Sequence, residues 1–164
     1  MYALITAALT LVGAAVAAPA ALQEQPAHFR LHATGELAGW AIVNSHTAAG
    51  TNTIQIQRPT AYVSDIAYVN GTNLYFDLPG APTPYGVAMP GLTKGTVGQV
   101  FSKPGEMSVG FAVNPSLLLT YNSNTQGFYA CSINGVYELF YGLNPEAANL
   151  PGKCVQTELQ VSAP

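Results

Sequence analysis

The chain has 164 residues, a formal net charge of −3 and only 8% charged residues, where globular proteins usually contain about 25%. Nucleic acids and anionic membrane surfaces are bound by clustered Lys and Arg. The composition therefore argues against both kinds of partner, because the cations are few and scattered: Arg30, Arg58, Lys94, Lys103 and Lys153.

Residues 1–18 form an apolar run that has no charged side chain and ends in small residues. This composition predicts a secretory signal peptide, although no Lys or Arg precedes the apolar stretch. The run is shorter than the roughly 20 apolar residues that span a bilayer, so we expect removal rather than retention as an anchor. Small residues on both sides place the new amino terminus between Pro19 and Ala21. The alternative is a buried N-terminal helix.

The remaining chain, about 145 residues long, has the length of one domain. Residues 19–27 show no periodicity and are predicted to be a flexible lead-in, followed by a single β domain over residues 28–162. The closing residues 158–164 are too short and too polar for a lipid-anchor signal. We therefore expect a secreted, extracellular protein without a membrane anchor.

Short segments of strand character follow one another from residue 28 onward. His28–Thr34 and Thr53–Gln57 alternate polar and apolar side chains with a period of two, as strands with one solvent-exposed face do. Sixteen Gly and twelve Pro divide the chain into pieces too short for helices, except for a single turn at Pro145–Asn149. Further runs rich in aromatic and β-branched residues occupy 40–43, 74–78, 86–89, 97–101, 109–113, 117–121, 128–133, 136–141 and 155–161.

About ten short strands at intervals of about 8–12 residues predict an all-β fold. The pattern is typical of a single-domain antiparallel β-barrel or of a two-sheet β-sandwich, and it leaves these two open. No internal repeat is clear enough to predict a threefold trefoil.

The clearest local unit is a hairpin over residues 128–141, where Asn134-Gly135 supplies the two positive-φ positions of a type I′ turn. The turn fixes the register, so that Ile133 faces Val136, Cys131 faces Glu138 and Tyr129 faces Phe140. Both faces of the hairpin are largely apolar, which predicts two central strands rather than an edge.

The two cysteines, Cys131 and Cys154, are predicted to form one disulfide, since an exported chain meets an oxidising compartment. In the chain-entropy picture this crosslink stabilises the fold by about 3 kcal/mol. A thiol nucleophile or a metal pair is the disfavoured alternative, because an extracellular thiolate is readily oxidised.

The three histidines, His28, His32 and His46, do not predict a metal site. On a strand, His28 and His32 lie about 13 Å apart, too far to bind one ion. No Cys-x-x-Cys motif or acidic cluster accompanies them, so we expect solvated or hydrogen-bonded imidazoles and no cofactor.

Glycoside hydrolysis requires two carboxylates, a proton donor and a nucleophile or base. Glu138 is the most interesting candidate acid, because its predicted neighbours Tyr129 and Phe140 can raise its pKa. No Gly-x-Ser-x-Gly nucleophile motif occurs, and we expect the protein not to be an enzyme. The carboxylates of the predicted domain considered for this role are Asp65, Asp77, Glu106 and Glu138.

Asn70-Gly71-Thr72 is the one glycosylation sequon, since Pro115 blocks the second candidate, and it lies in a predicted turn. Aromatic side chains provide candidate sugar-binding surfaces, because their rings stack on sugar faces. Packing in the core is the alternative for these rings. The candidate ligand-facing aromatics are Trp40, Tyr62, Tyr75, Tyr85 and Tyr121.

Strand and turn patterns over roughly residues 28–161 carry a family resemblance, most clearly at 68–78, 85–89, 127–131, 139–140 and 154–155. Together they resemble a family of small secreted proteins from filamentous ascomycetes, some of which are labelled IgE-binding proteins. The segments 110–113, 117–121 and 129–131 are also similar to a fungal cell-wall protein linked to phialide formation. The resemblance implies secretion and surface association, extracellular or in the cell wall, and no catalytic residue.

Three functions remain open on this basis. The first is a secreted, non-enzymatic fungal extracellular or wall-associated protein, recognised by IgE as an incidental property. The second is an extracellular module that binds carbohydrate or a small ligand, with cell-wall or host glycans as partners. The third, a small secreted hydrolase built on Glu138, is the least favoured.

Overall fold

The computed structural model describes residues 27–105 and 107–164. The predicted signal peptide, residues 19–26 of the predicted lead-in, and Glu106 lie outside the described residues. The described residues are almost entirely β-structure, with two short 3-10 turns at Gly35–Leu37 and Ala147–Asn149. Their fourteen strands are β1 (Phe29–Ala33), β2 (Ala41–Ala48), β3 (Thr51–Gln57), β4 (Ile66–Asn70), β5 (Asn73–Asp77), β6 (Tyr85–Ala88), β7 (Val97–Gln99), β8 (Phe101–Pro104), β9 (Phe111–Val113), β10 (Leu119–Tyr121), β11 (Phe128–Ile133), β12 (Val136–Gly142), β13 (Lys153–Thr157) and β14 (Leu159–Ser162).

Seven strands close into an antiparallel barrel in the order β3-β2-β1-β4-β5-β6-β8. The barrel closes where β8 pairs back onto β3, with Ser102 opposite Asn52 and Phe101 opposite Thr53. The prediction of an all-β antiparallel fold is confirmed, and of the two architectures left open the barrel is the one found.

Five of the remaining strands extend the barrel wall, and two form a sheet of their own. β12 pairs with β3 beside the closure, and β11 and β13 continue the sheet outward. β7 pairs with β12, and β14 pairs with β1. β9 and β10 form a separate two-stranded sheet, so the chain contributes a barrel, a sheet extension and a small additional hairpin.

The barrel interior is filled by every second side chain of its strands. In β1, Phe29, Leu31 and Ala33 are buried while the residues between them are partly exposed, as the period of two predicts. The most deeply buried large side chains come from many different strands and form one continuous core: Phe76, Phe111, Phe128, Leu31, Ile42, Ile54, Ile56, Leu119 and Leu159.

The 128–141 hairpin has the predicted register. Asn134 and Gly135 have φ values of 50° and 84°, and Cys131 lies opposite Glu138. Both strands are interior to the sheet, since β13 flanks β11 and β3 flanks β12. The prediction of two central strands is confirmed.

The division of two runs and the presence of one strand differ from the sequence-based prediction. The runs 97–101 and 155–161 each form two strands, because the chain changes partner at Val100 and at Glu158. Strand β4 was not predicted, and it contains only one fully buried side chain, Ala67.

The turn predicted at Pro145–Asn149 is present as the 3-10 turn. No helix within residues 27–105 and 107–164 is long and apolar enough to cross a membrane.

Candidate binding cleft

A cleft of about 400 Å³ opens at the end of the β11–β12 hairpin, and aromatic side chains from three places in the chain meet there. Trp40 immediately precedes β2, Tyr62 lies in the loop between β3 and β4, and Tyr137 is the second residue of β12. The tight Asn-Gly turn brings the start of β12 to the end of β3, where Tyr137 pairs with Ile56. Other lining residues include Gln57, Arg58, Thr60 and Val136.

The rings in the cleft hold one another in place. Trp40 and Tyr137 meet edge to face, with centroids 5.8 Å apart and planes at 83°. The Arg58 guanidinium carbon lies 5.3 Å from the centre of the Trp40 ring, within the range of a cation–π contact. The Arg58 carbonyl accepts hydrogen bonds from the backbone N–H groups of Ala61 and Tyr62, and this turn leaves the Tyr62 side chain 50% exposed.

The cleft combines flat apolar rings with a few polar groups. Arg58 supplies N–H donors, while Gln57 and Thr60 supply donors and acceptors. No Asp or Glu is among the described residues that line it. Such a surface is suited to binding a polar ligand that has flat apolar faces, and its described lining lacks the carboxylate pair of a glycosidase.

The cleft gathers two of the five candidate aromatics, Trp40 and Tyr62. Tyr75 lies elsewhere, stacked on Tyr68 with centroids 5.2 Å apart. Tyr85 and Tyr121 pack against the core. Sequence reasoning missed Tyr137 and Arg58 among the lining residues. Tyr137 was placed in the predicted hairpin, but the pairing of its other side with β3 was not predicted.

The predicted disulfide between Cys131 and Cys154 is present. The two residues lie directly opposite each other on β11 and β13, with their Cα atoms 4.0 Å apart. Cys131 is completely buried. The crosslink therefore fastens the outer strand β13 to the sheet extension that also carries the hairpin.

The histidines occupy separate hydrogen-bonded or packed sites. The His32 ring bonds Ser162 Oγ at 3.1 Å, and the His46 ring bonds the Asn52 side-chain oxygen at 3.2 Å. His28 lies against Tyr68, with ring centres 5.1 Å apart. Among the described residues, no three His, Cys, Asp or Glu side chains are grouped closely enough to hold a metal ion.

The described candidate carboxylates also lie apart from the cleft lining. Asp65 accepts hydrogen bonds from the backbone and side-chain nitrogens of Asn44, at 2.6 and 3.0 Å, which gives it a structural role. Asp77 ends β5 and is exposed. Glu138 is partly buried beside β7, where Gln99 Nε2 donates a 2.5 Å hydrogen bond to its carboxylate.

Partial burial raises the pKa of Glu138 above its ordinary value, since desolvation disfavours the charged form. At pH values between the ordinary pKa and the raised pKa, the folded state binds more protons than the unfolded state. The contribution of Glu138 to stability therefore decreases as pH rises through this range. We expect Glu138→Gln to remove this dependence and to stabilise the protein slightly at pH 7, by less than about 1 kcal/mol because water still screens the group. Urea unfolding of both proteins between pH 4 and 7 measures the difference. A difference that grows as pH falls would contradict the assignment.

Asn70 is exposed where β4 turns into β5, and Gly71 takes φ +62° at the turn. Its side chain is thus placed on the surface, as a glycan acceptor must be. Occupancy of this sequon stays a prediction.

No curated protein and no solved structure shows significant similarity to the chain. One family does match, over residues 24–162, a range that includes every strand of the barrel and its extension. The chain therefore belongs to the family described as "Domain of unknown function (DUF7907)".

Proposed function

We propose that the protein is an exported, non-enzymatic binding protein that holds a glycan of the cell wall or its surroundings in the Trp40 cleft. The observation that supports this most directly is the convergence of Trp40, Tyr62 and Tyr137 with the Arg58 guanidinium on one open cleft.

Carbohydrate fits the chemistry of these residues. A pyranose ring has a face of C–H groups that packs on an aromatic ring and an edge of hydroxyls that needs hydrogen-bond partners. Tyr62 offers an exposed ring for this packing. The Arg58 guanidinium lies over the Trp40 ring, which holds its N–H donors in the cleft. The described lining contains no acidic side chain that would compete with a sugar for the Arg58 donors.

A binding role without catalysis is supported by the position of Glu138. Its carboxylate is bonded to Gln99, and its neighbours across the two adjoining strands are Cys131 and Gln55 rather than a second acid. General acid catalysis of glycoside cleavage needs a second carboxylate across the scissile bond.

Export is supported by the apolar residues 1–18 and by the formed disulfide, which is typical of oxidising compartments. The low charge of the chain and its resemblance to small secreted ascomycete proteins support the fungal cell wall as the place where it acts. On this proposal, recognition by IgE is incidental to the binding role.

The test is isothermal titration of the secreted protein with β-1,3-glucan, chitin and mannan oligosaccharides. We expect saturable binding to at least one of them, and we expect Tyr62→Ala to weaken it about fivefold, or ~1 kcal/mol, by removing an exposed ring. Tyr75→Ala is the matched control, because it removes a partly exposed tyrosine ring outside the cleft. Absence of binding to all three glycans, or an equal loss in the two variants, would refute the proposal.

A further inference from the structure

A second concavity, of about 430 Å³, lies at one end of the barrel, and seven of the nine described residues that line it are apolar. Phe29 is buried at its base, and Val69 and Val161 are partly buried and pack against the core. Val69 pairs with buried Leu74, and Val161 pairs with buried Leu31, so each projects to the same face of the sheet as a core side chain. The groove therefore reaches down to the apolar core, and concave apolar sites of this kind are common places for small ligands.

The loop that connects β9 and β10 forms one wall of this groove, and it holds Leu117 in a strained conformation. Leu117 has φ 58°, a left-handed backbone conformation that is rare for a bulky side chain. Its side chain is nevertheless 54% exposed, and that of Val113 on the same wall is 37% exposed. The strain thus places an aliphatic side chain at the groove instead of burying it.

Hydrogen bonds fix this arrangement. The Asn114 side-chain oxygen accepts from the backbone N–H groups of Ser116 and Leu118, at 3.0 and 2.9 Å. The Leu117 carbonyl accepts from the Val161 backbone at 2.7 Å and from Gln160 Nε2 at 2.9 Å. Backbone strain that the surroundings hold this firmly is concentrated at ligand-binding and catalytic sites.

We infer that the groove binds the alkyl chain of a small single-chain amphiphile, of the fatty-acid or long-chain-alcohol class. Nine described residues line it, whereas a stable protein interface uses about 20–30 on each side, so a small molecule fits better than a second protein chain. None of the nine is Lys, Arg, Asp or Glu, which leaves no charged partner for a peptide. His28 and Ser162 are the polar side chains of the described lining. The Ser162 hydroxyl is already hydrogen-bonded to His32 and to the Ala163 carbonyl, so His28, which precedes β1, is the side chain that offers a hydrogen bond to one polar head group.

The test uses the secreted chain and the fluorescent fatty acid 11-(dansylamino)undecanoic acid, with dodecanoic acid and 1-dodecanol as competitors. We expect saturable enhancement of the probe's fluorescence with one site per chain, and displacement by at least one competitor. Leu117→Asn keeps a residue that tolerates left-handed φ and removes the apolar surface, so it should weaken probe binding about tenfold. Leu143→Asn is the control, because Leu143 is equally exposed, at 52%, and lies outside the groove.

A second variant separates loss of binding from loss of folding. Leu117→Gly should also bind the probe weakly and yet unfold at no lower temperature than the parent protein, because glycine adopts positive φ without strain. The inference is overturned if the parent protein shows no saturable binding, if neither competitor displaces the probe, or if Leu117→Asn and Leu143→Asn weaken binding equally. These outcomes are independent of the glycan titration, which concerns the Trp40 cleft.

Discussion

Replacing both cysteines, Cys131→Ala together with Cys154→Ala, is expected to lower the free energy of unfolding by about 3 to 5 kcal/mol. The bond joins residues 23 positions apart, and its loss returns about 3 kcal/mol of loop entropy to the unfolded chain. The rest of the expected loss in unfolding free energy comes from the Cys131 side chain. Its sulfur is completely buried, and removing it leaves a small cavity. Guanidinium unfolding measures the change, and the two extrapolated free energies must be compared, since the m-value changes with the crosslink.

Reduction provides the control for this prediction. The parent protein in reducing buffer should lose a similar amount of stability, while the double alanine variant should be insensitive to the reductant. A loss below about 1 kcal/mol in both experiments would mean that hydrogen bonding between β11 and β13 holds the sheet extension without the crosslink.

Gly127→Ala is expected to lower the free energy of unfolding by about 3 kcal/mol, through a clash in the core. A Cβ at this position would lie 2.3 Å from Cε2 and 2.5 Å from Cζ of Tyr141. That ring has little room to move, because it is 3% exposed and packs edge to face on Phe128 and Tyr121, at 5.2 and 5.1 Å. Urea unfolding monitored by tyrosine fluorescence measures the loss.

Gly91→Ala is the matched control for this substitution. A Cβ at Gly91 would have no neighbour within 4 Å, and its φ is not in the left-handed region, so stability should change by less than about 0.5 kcal/mol. In a Tyr141→Leu background the cost of Gly127→Ala should fall, since the clashing ring is gone. An unchanged cost there would place the damage in the backbone of Gly127 and not in its contact with Tyr141.

Local signals made much of the fold predictable. Asn134-Gly135 determined a turn type, and the turn type determined every pair of the β11–β12 ladder. The period of two in β1 identified its buried side chains correctly. These features depend on neighbouring residues only, which is why sequence alone suffices for them.

Partners that are distant in sequence were not predictable in this way. Strand β3 pairs with β12 through Gln55 and Ile56 and with β8 through Asn52 and Thr53. The alternating pattern of residues 53–57 gives no sign of this change of partner. Periodicity reports which side chains are buried and not which strand lies alongside. For the same reason the aromatic residues alone did not indicate that Trp40 and Tyr62 share a cleft with Tyr137.

The pairing of β1 with β14 has a consequence for the order in which the chain is made. Four residue pairs join these strands, whereas β1 contacts β2 through a single pair and β4 through two. Of the described strands, β1 is therefore synthesised first and meets its main partner only when β14, the last of them, has been synthesised. This pairing cannot form before residues 159–162 have left the ribosome, so the described fold is completed late. Because β1 and β14 lie side by side, a circular permutant that joins them through a short linker is feasible.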